Sequence, residues 1–347
     1  MFKPSFRYTD NIVNNLTQIA VARELILSSP FVPKWEIILR REAIIRSAHS
    51  STAIEGNRLS LEQVTDLAHG REVMATRKDK QEVLNYLSVL ENISKLVDGE
   101  DVTEKNILEI HRLITQGTLE NPSDCGVYRK RYVVVANRIT GKVFFKPPKN
   151  EEVPELVRDL VKWVNSSEAK SLDSVIEAGI AHYEFVRIHP FVDGNGRTSR
   201  VLATLILYLR GFDAKQFFCL DDYYDSDRPS YYKALQSVDQ KTRDLTDWLD
   251  YFVEGVKVSI IAVKEKVIRL SSERLRRTKK GQIALTEKQM RIVEFINNNG
   301  KITNKDVREM FKISAQAAHK ELIKLIQLNV LKPFGKGRNL AYQLLRG

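Results

Sequence analysis

Residues 189–200 read HPFVDGNGRTSR, and the interpretation of the whole chain turns on that dozen. His189 can take up a proton near neutral pH, because an unperturbed imidazole titrates close to that range. Asp193 offers a hard oxygen ligand of the kind that Mg²⁺ accepts while it also holds phosphate oxygens. Gly194, Asn195 and Gly196 let the backbone bend sharply and present bare N–H groups to an anion. Arg197 and Arg200 bring planar donor forks that keep their charge. The run that follows, TSRVLATLILYLRG, has apolar side chains at helical spacing and ends at Gly211. The glycine loop is therefore expected to lead into a helix over 198–210, at whose N-terminus anions are favoured. A plain glycine turn would explain GNG alone, but not a string in which every position meets a separate chemical need.

Outward from this loop the chain reads as mainly helical. Apolar residues recur at three- and four-residue intervals over 10–29, 34–49 and 79–97. Thr103 heads a further helix that stops at Gly117. One hairpin interrupts the pattern: β-branched and aromatic runs at 132–136 and 142–145, with NRITG between them and Pro147 and Pro148 ending the second. Helices are expected again at 151–166, 172–187, 229–239 and 244–270. Ser51 and Glu55, four residues apart, share one face of a helix that Gly56 is suited to end. Tyr231 and Tyr232 begin a helix after Pro229.

At 347 residues the chain is long enough for two or three domains with a proper core. The sequence holds no run of eighteen apolar residues, so no transmembrane helix is expected. The N-terminal MFKPSFRYTD has no apolar signal region. Cys125 and Cys219 show neither metal-ligand spacing nor a disulfide framework, and a reducing cytoplasm is the expected location. The net charge of +11 is unevenly placed: residues 251–347 hold 21 Lys and Arg against 8 Asp and Glu. A basic terminal module points to nucleic acid or another polyanion.

The string HPFVDGNGR, followed by a second arginine at 200, resembles the Fic family signature at every position. The resemblance covers about residues 10–255 and implies an α-helical domain with a single hairpin, together with transfer of AMP from ATP and Mg²⁺ to a protein hydroxyl. It makes His189 the catalytic base and places ATP on Asp193, Gly194, Asn195, Gly196, Arg197 and Arg200, with Asp193 also holding the metal. The hairpin corresponds to the flap that docks an extended target segment, here through Val133, Val134, Val135, Val143 and Phe144. The segment SSTAIEG resembles the family's inhibitory motif, with Ser51, Glu55 and Gly56 on its defining positions. Glu55 is then expected to pair with Arg200, since a carboxylate competes with the γ-phosphate for one guanidinium. By the same resemblance Tyr231 lies against the adenine, Tyr232 less firmly so, and Asp239 approaches it. Some relatives also remove AMP, and a target that includes the chain itself and a homodimer are both compatible with the sequence.

The C-terminal module has its own pattern. Thr286 with Gln289 and Thr303 with Asp306 form capping boxes, Ser314 opens a third helix, and two short strands flank GKGR. This resembles a winged helix-turn-helix, which would aim Gln316, His319, Lys320 and Lys324 at a DNA groove and put Lys336 and Arg338 on the wing; a protein partner is the alternative. Four regions are expected: 1–100 with the inhibitory motif, 101–255 as the catalytic core, 256–283 as a basic helical linker, and 284–347 as a small winged-helix domain. The favoured reading is an autoinhibited protein adenylyltransferase. Its competitors are a DNA-binding regulator that senses nucleotide, and a transferase of another phosphate-linked group such as UMP or phosphocholine. No GxxxxGK loop exists to support ordinary NTPase chemistry.

Overall fold

In the computed structural model, residues 2–29, 33–97, 99–136, 143–212, 217–277, 285–328, 330–335, 337 and 340–345 are described. They form two compact units: Met1–Leu27 with Glu42–Glu265, and Ser28–Arg41 with Lys266–Gly347. The expected regions 1–100 and 101–255 thus share one unit, and residues 28–41 group with the C-terminal residues.

The chain runs through α1 (Asp10–Ser28), α2 (Pro33–Ile54), α3 (Leu61–Ala68), α4 (Arg77–Glu91) and α5 (Glu104–Thr115), with α2 belonging to the first unit from Glu42 onward. The antiparallel strands β1 (Val135–Ala136) and β2 (Val143–Phe145) follow. Helices α6 (Val153–Val164), α7 (Ser167–Lys170), α8 (Ser174–Ile188), α9 (Asn195–Leu209), α10 (Asp221–Ser226), α11 (Arg228–Gln236) and α12 (Thr246–Arg277) come next, α12 belonging to the first unit as far as Glu265. One buried cluster joins Ile45, Val64, Val83 and Tyr86 to Ile110, Ile114, Val201 and Leu205. Each such side chain contributes roughly 1.5–3 kcal/mol when fully buried, so the N-terminal helices and the α5–α9 pair stabilise one another.

Helix α8 is buried along almost its whole length, and its buried residues include Glu177, His182, Glu184 and Arg187 beside the apolar ones. α12 can approach α8 closely because Gly179 has no Cβ: one built there would lie 2.9 Å from Leu249 and from Phe252. Trp248 Nε1 donates to the Gly179 carbonyl at 2.8 Å. At the far end of α9, the Arg210 guanidinium grips Glu177 of α8 at 2.8 and 2.9 Å. These contacts fix the α8–α9 hairpin whose connecting loop is the 189–194 segment.

The second unit holds α13 (Glu287–Asn299), α14 (Asn304–Phe311), α15 (Ala315–Gln327) and the hairpin β3 (Leu331–Phe334) with β4 (Ala341–Leu344). Thr286, Thr303 and Ser314 each cap a helix through the side-chain oxygen. Ile292, Val293, Ile296, Val307, Leu322, Leu325 and Tyr342 build its core.

Several bounds differ from expectation. The helix expected at 198–210 begins at Asn195, because Gly194 at φ 80 is already its N-cap. The flap strands are shorter than 132–136 and 142–145: pairing runs only from Val135↔Phe145 to Ala136↔Val143. Beyond Phe145 lie Pro147 and Pro148, which have no N–H to offer a longer ladder. The turn at 137–142, the basic residues 278–284, and Lys336 and Arg338 lie outside the described residues. Among the described residues no helix is long and apolar enough to cross a membrane.

Candidate active site

Helix α8 ends at His189, whose backbone is left-handed (φ 50, ψ 58) and whose N–H still donates to Phe185 O at 3.0 Å. Pro190 forbids another helical turn, since the residue before a proline is driven out of the α region. A non-glycine residue there stores roughly 1–3 kcal/mol of strain, which the buried surroundings hold in place. His189 Nδ1 lies 3.3 Å from Val186 O. That contact puts the ring proton on Nδ1 and leaves Nε2, unpartnered among the described residues, as the basic nitrogen. Burial pushes this imidazole down to about 4, so it is neutral at physiological pH.

The loop then folds on itself. Asn195 Oδ1 accepts from Phe191 N–H and its amide donates to Phe191 O, both at 2.9 Å. Asp193 Oδ1 accepts from Gly194 N–H at 2.6 Å and lies 3.7 Å from Arg197. Its other oxygen has no partner among the described residues, and the carboxylate is half exposed. The first-turn amides of α9 have no intrahelical acceptor, so they form an anion seat at the positive end of the helix.

Glu55 lies beside that seat. Helix α2 ends in a Schellman motif, with Asn57 N–H donating to Thr52 O and Gly56 N–H to Ala53 O, and Gly56 takes the left-handed turn at φ 99. This delivers the Glu55 carboxylate directly over Gly196: a Cβ built on Gly196 would lie 2.2 Å from Oε1. Arg200 Nη2 donates to Glu55 Oε1 at 2.9 Å. Behind it, Arg200 Nε donates to Ser51 Oγ at 2.7 Å and Nη2 to Ser51 O at 2.9 Å. Asp221 of α10 stands 3.3 Å from Nε. Burial works against the Arg200 cation, but Glu55, the tyrosine hydroxyls and Asp221 outweigh it and hold its pKa above the ordinary guanidinium value. Ser51, Glu55, His189, Gly194, Gly196 and Arg200 are thus brought together.

Tyr231 does not lie where an adenine could stack on it. Its ring is 2% exposed, stacked on Tyr224 with centroids 4.5 Å apart, and its hydroxyl is 3.0 Å from His182 Nε2. Its neighbour Tyr232 is 42% exposed, with its hydroxyl 3.4 Å from Ile54 O beside the end of α2. Helix periodicity turns only one of two adjacent residues outward, and here it is the second. Asp239 is exposed and caps a turn by accepting from Lys241 N–H and Thr242 N–H. On the hairpin, Val134 and Val143 are exposed and Val135 is half-buried; Val133 is half-buried too. In the second unit Gln316, His319, Lys320 and Lys324 are all exposed on α15.

Several residues at the site escaped the sequence reading. Arg129 Nε donates to His189 O at 2.8 Å, and its backbone N–H donates to Pro190 O at 2.9 Å. Glu82 lies 3.4 Å from Arg197 and accepts from Asn57 at 3.1 Å. His111 binds the loop from α5.

Residues 101–207, from just before α5 to near the end of α9, match the Fic/DOC family. The protein adenylyltransferase Fic of Drosophila melanogaster is 30% identical over 221 residues, which cover 60% of this chain and 43% of that protein. The Drosophila virilis protein of the same name is 29% identical and is covered to 44%. This chain therefore spans less than half the length of these relatives. Among solved structures, a Fic family protein from Desulfovibrio desulfuricans superposes with a TM-score of 0.65 at 24% identity, over 99% of this chain and 98% of that one. A Fic domain containing signaling protein from Bacteroides thetaiotaomicron gives 0.61 at 25% identity, over 76% and 98%. The match to that family thus falls on residues 101–207, and the two solved structures share the fold.

Proposed function

We propose that the chain is a protein adenylyltransferase held in check by its own Glu55. The observation that carries this reading is the Glu55 carboxylate bound to Arg200 above Gly196, beside an imidazole whose Nε2 is bare. A carboxylate stands where the terminal phosphates of ATP would sit, so the seat fits an anion of that kind.

In the transfer step, the oxygen of a Ser, Thr or Tyr hydroxyl on a target protein attacks the α-phosphorus of ATP. The bond to the bridging oxygen of the β-phosphate breaks, pyrophosphate leaves, and the hydroxyl proton passes to His189 Nε2. A triphosphate beside His189 raises the basicity that burial lowers, because an adjacent negative charge favours the imidazolium. The α9 amides and Arg197 face the charge that builds on the phosphate oxygens. Mg²⁺ fits the half-exposed, unpartnered oxygen of Asp193, since that ion is usually held by one or two carboxylates plus phosphate; it would supply charge neutralisation. Val134 and Val143 on the flap would meet the extended target segment, and Tyr232, rather than Tyr231, would face the base.

The test is incubation of wild-type and Glu55→Gly protein with labelled ATP, UTP or CDP-choline, with the label located by mass spectrometry. Breaking one charge-assisted contact of about 1.5–3 kcal/mol should raise self-modification by ATP roughly 10–100-fold, and His189→Ala should abolish it. An inert Glu55→Gly protein, or preference for another donor, would overturn the reading.

A second reading concerns the C-terminal unit alone. Its three capped helices and hairpin, with Gln316, His319, Lys320 and Lys324 exposed on the third helix, suit a winged helix on DNA. Duplex retardation by the full chain that weakens steeply with salt would support it.

A further inference from the structure

His111 is a fully buried polar residue. It lies on the inner face of α5, among Ile107, Ile110 and Ile114. Burying an imidazole is costly unless its nitrogens are satisfied, and here both are. Gly126 N–H donates to Nδ1 at 3.0 Å. Nδ1 therefore carries no proton, and Nε2 must be the N–H that donates to Asp193 O at 2.9 Å. The ring also lies flat on Phe191, with centroids 3.6 Å apart and planes 5° from parallel. One side chain thus holds the 191–193 segment by its face and by its edge.

One turn further along α5, Thr115 completes the grip. A Cβ built on Gly194 would lie 2.8 Å from the Thr115 methyl and 3.4 Å from the His111 ring. The left-handed Gly194, and with it the direction of the amides that follow, is set against α5. The same imidazole ties in Gly126, three residues before Arg129 takes the His189 carbonyl. Its two nitrogens consequently set the spacing between the anion seat and the strand arm that leads to β1.

We propose that His111 is a positioning residue for the transfer reaction: through its Nε2–H it holds Asp193 and the α9 amides in the geometry that binds the reacting phosphates. This rests on the adenylyltransferase reading above. His111 touches no substrate, and its effect is carried by the loop.

The two nitrogens can be separated by substitution. An asparagine amide reaches about as far as Nδ1, and a glutamine amide about as far as Nε2. In the Glu55→Gly protein, His111→Asn should lower kcat about 100-fold, the loss typical of a displacement near 1 Å, while KM for ATP changes about twofold. His111→Gln should restore kcat to within about fivefold. In parallel, hydrogen exchange is read without nucleotide at the bonded amides of Phe191, Gly194 and Thr198. His111→Asn should speed their exchange by about tenfold or more, with the α4 amides unchanged, and His111→Gln should return them to the parent rate.

Equal impairment by Asn and Gln, or unchanged exchange in His111→Asn, would overturn the proposal. If the Glu55→Gly parent is itself inert, the adenylyltransferase reading fails, and the exchange measurement still decides whether His111 holds the loop. If His111→Asn does not fold, His111→Gln decides alone: accelerated exchange at the three loop amides in that variant counts against the role.

Discussion

Gly196 matters for what it lacks. With Oε1 of Glu55 2.2 Å from where a Cβ would be, and Arg200 Nη1 3.1 Å away, no side chain fits there while Glu55 is bound. Gly196→Ala should therefore destabilise the wild-type protein by about 1–3 kcal/mol, the usual cost of overpacking, and much less when Glu55 is already glycine. Thermal unfolding of the two single variants and the double variant checks this; strictly additive shifts would contradict the contact. Residues that act through neighbours in sequence were legible: the 189–200 string and Ser51, Glu55 and Gly56 each form one local pattern. Glu82, Asp221, Arg129 and His111 were not, because each reaches the site through space from a separate helix or loop. Tyr231 and Tyr232 mark the boundary case, since two adjacent tyrosines give no sign of which one faces inward until the helix is packed.

Among the elements, the six-residue α10 carries more than its length suggests. Its sequence, DDYYDS, is too short to show a helical period and was not anticipated. Its two leading carboxylates nevertheless fasten α2, the helix that presents Glu55. Ser47 donates to Asp221, Ser50 donates to Asp222 at 2.6 Å, and Arg46 reaches Asp222 at 3.1 Å. Removing the outer half of this latch, in Ser50→Ala with Asp222→Asn, should leave Arg200 and Asp221 in place while loosening α2. The Arg46–Asp222 pair is partly exposed and worth little, so self-modification should rise only about threefold to tenfold, well short of Glu55→Gly. No response in the labelling assay would show that α10 does not hold the carboxylate. The strand lengths were overestimated for a related reason: β-propensity at 132–134 was visible, but the pairing needed donors that Pro147 and Pro148 lack.

For the molecule as a whole, buried histidines set a dependence on acid. Burial lowers His111 to about 4, His182 to about 3 and His189 to about 4, from an ordinary value of 6.5. Between those values and 6.5 the unfolded chain binds protons that the folded chain refuses, so stability rises with pH across that window. It should be fully present above about pH 6.5 and fall progressively toward pH 4. Asp221 and Glu177, which burial raises, oppose this. Denaturant midpoints measured from pH 7 to 4.5 should decline for the wild type. The decline should be shallower in His182→Gln, whose amide cannot charge; equal slopes would remove His182 from the account. At this scale the helical class and the two hairpins were readable from local pattern. The grouping of residues 1–27 and 42–265 was not, because the core joining α2, α4, α5 and α9 draws on residues far apart in the chain.

The tethering of Arg200 from behind has one more consequence. Ser51 and Asp221 grip the inner edge of the guanidinium, and only its outer corner meets Glu55. When the carboxylate withdraws, the cation has no freedom to swing after it and stays in its socket, aimed at the vacated seat. Swapping one anion for another at that corner then demands no rearrangement of the arginine, and the ordering entropy of a long flexible side chain is already spent before any nucleotide arrives.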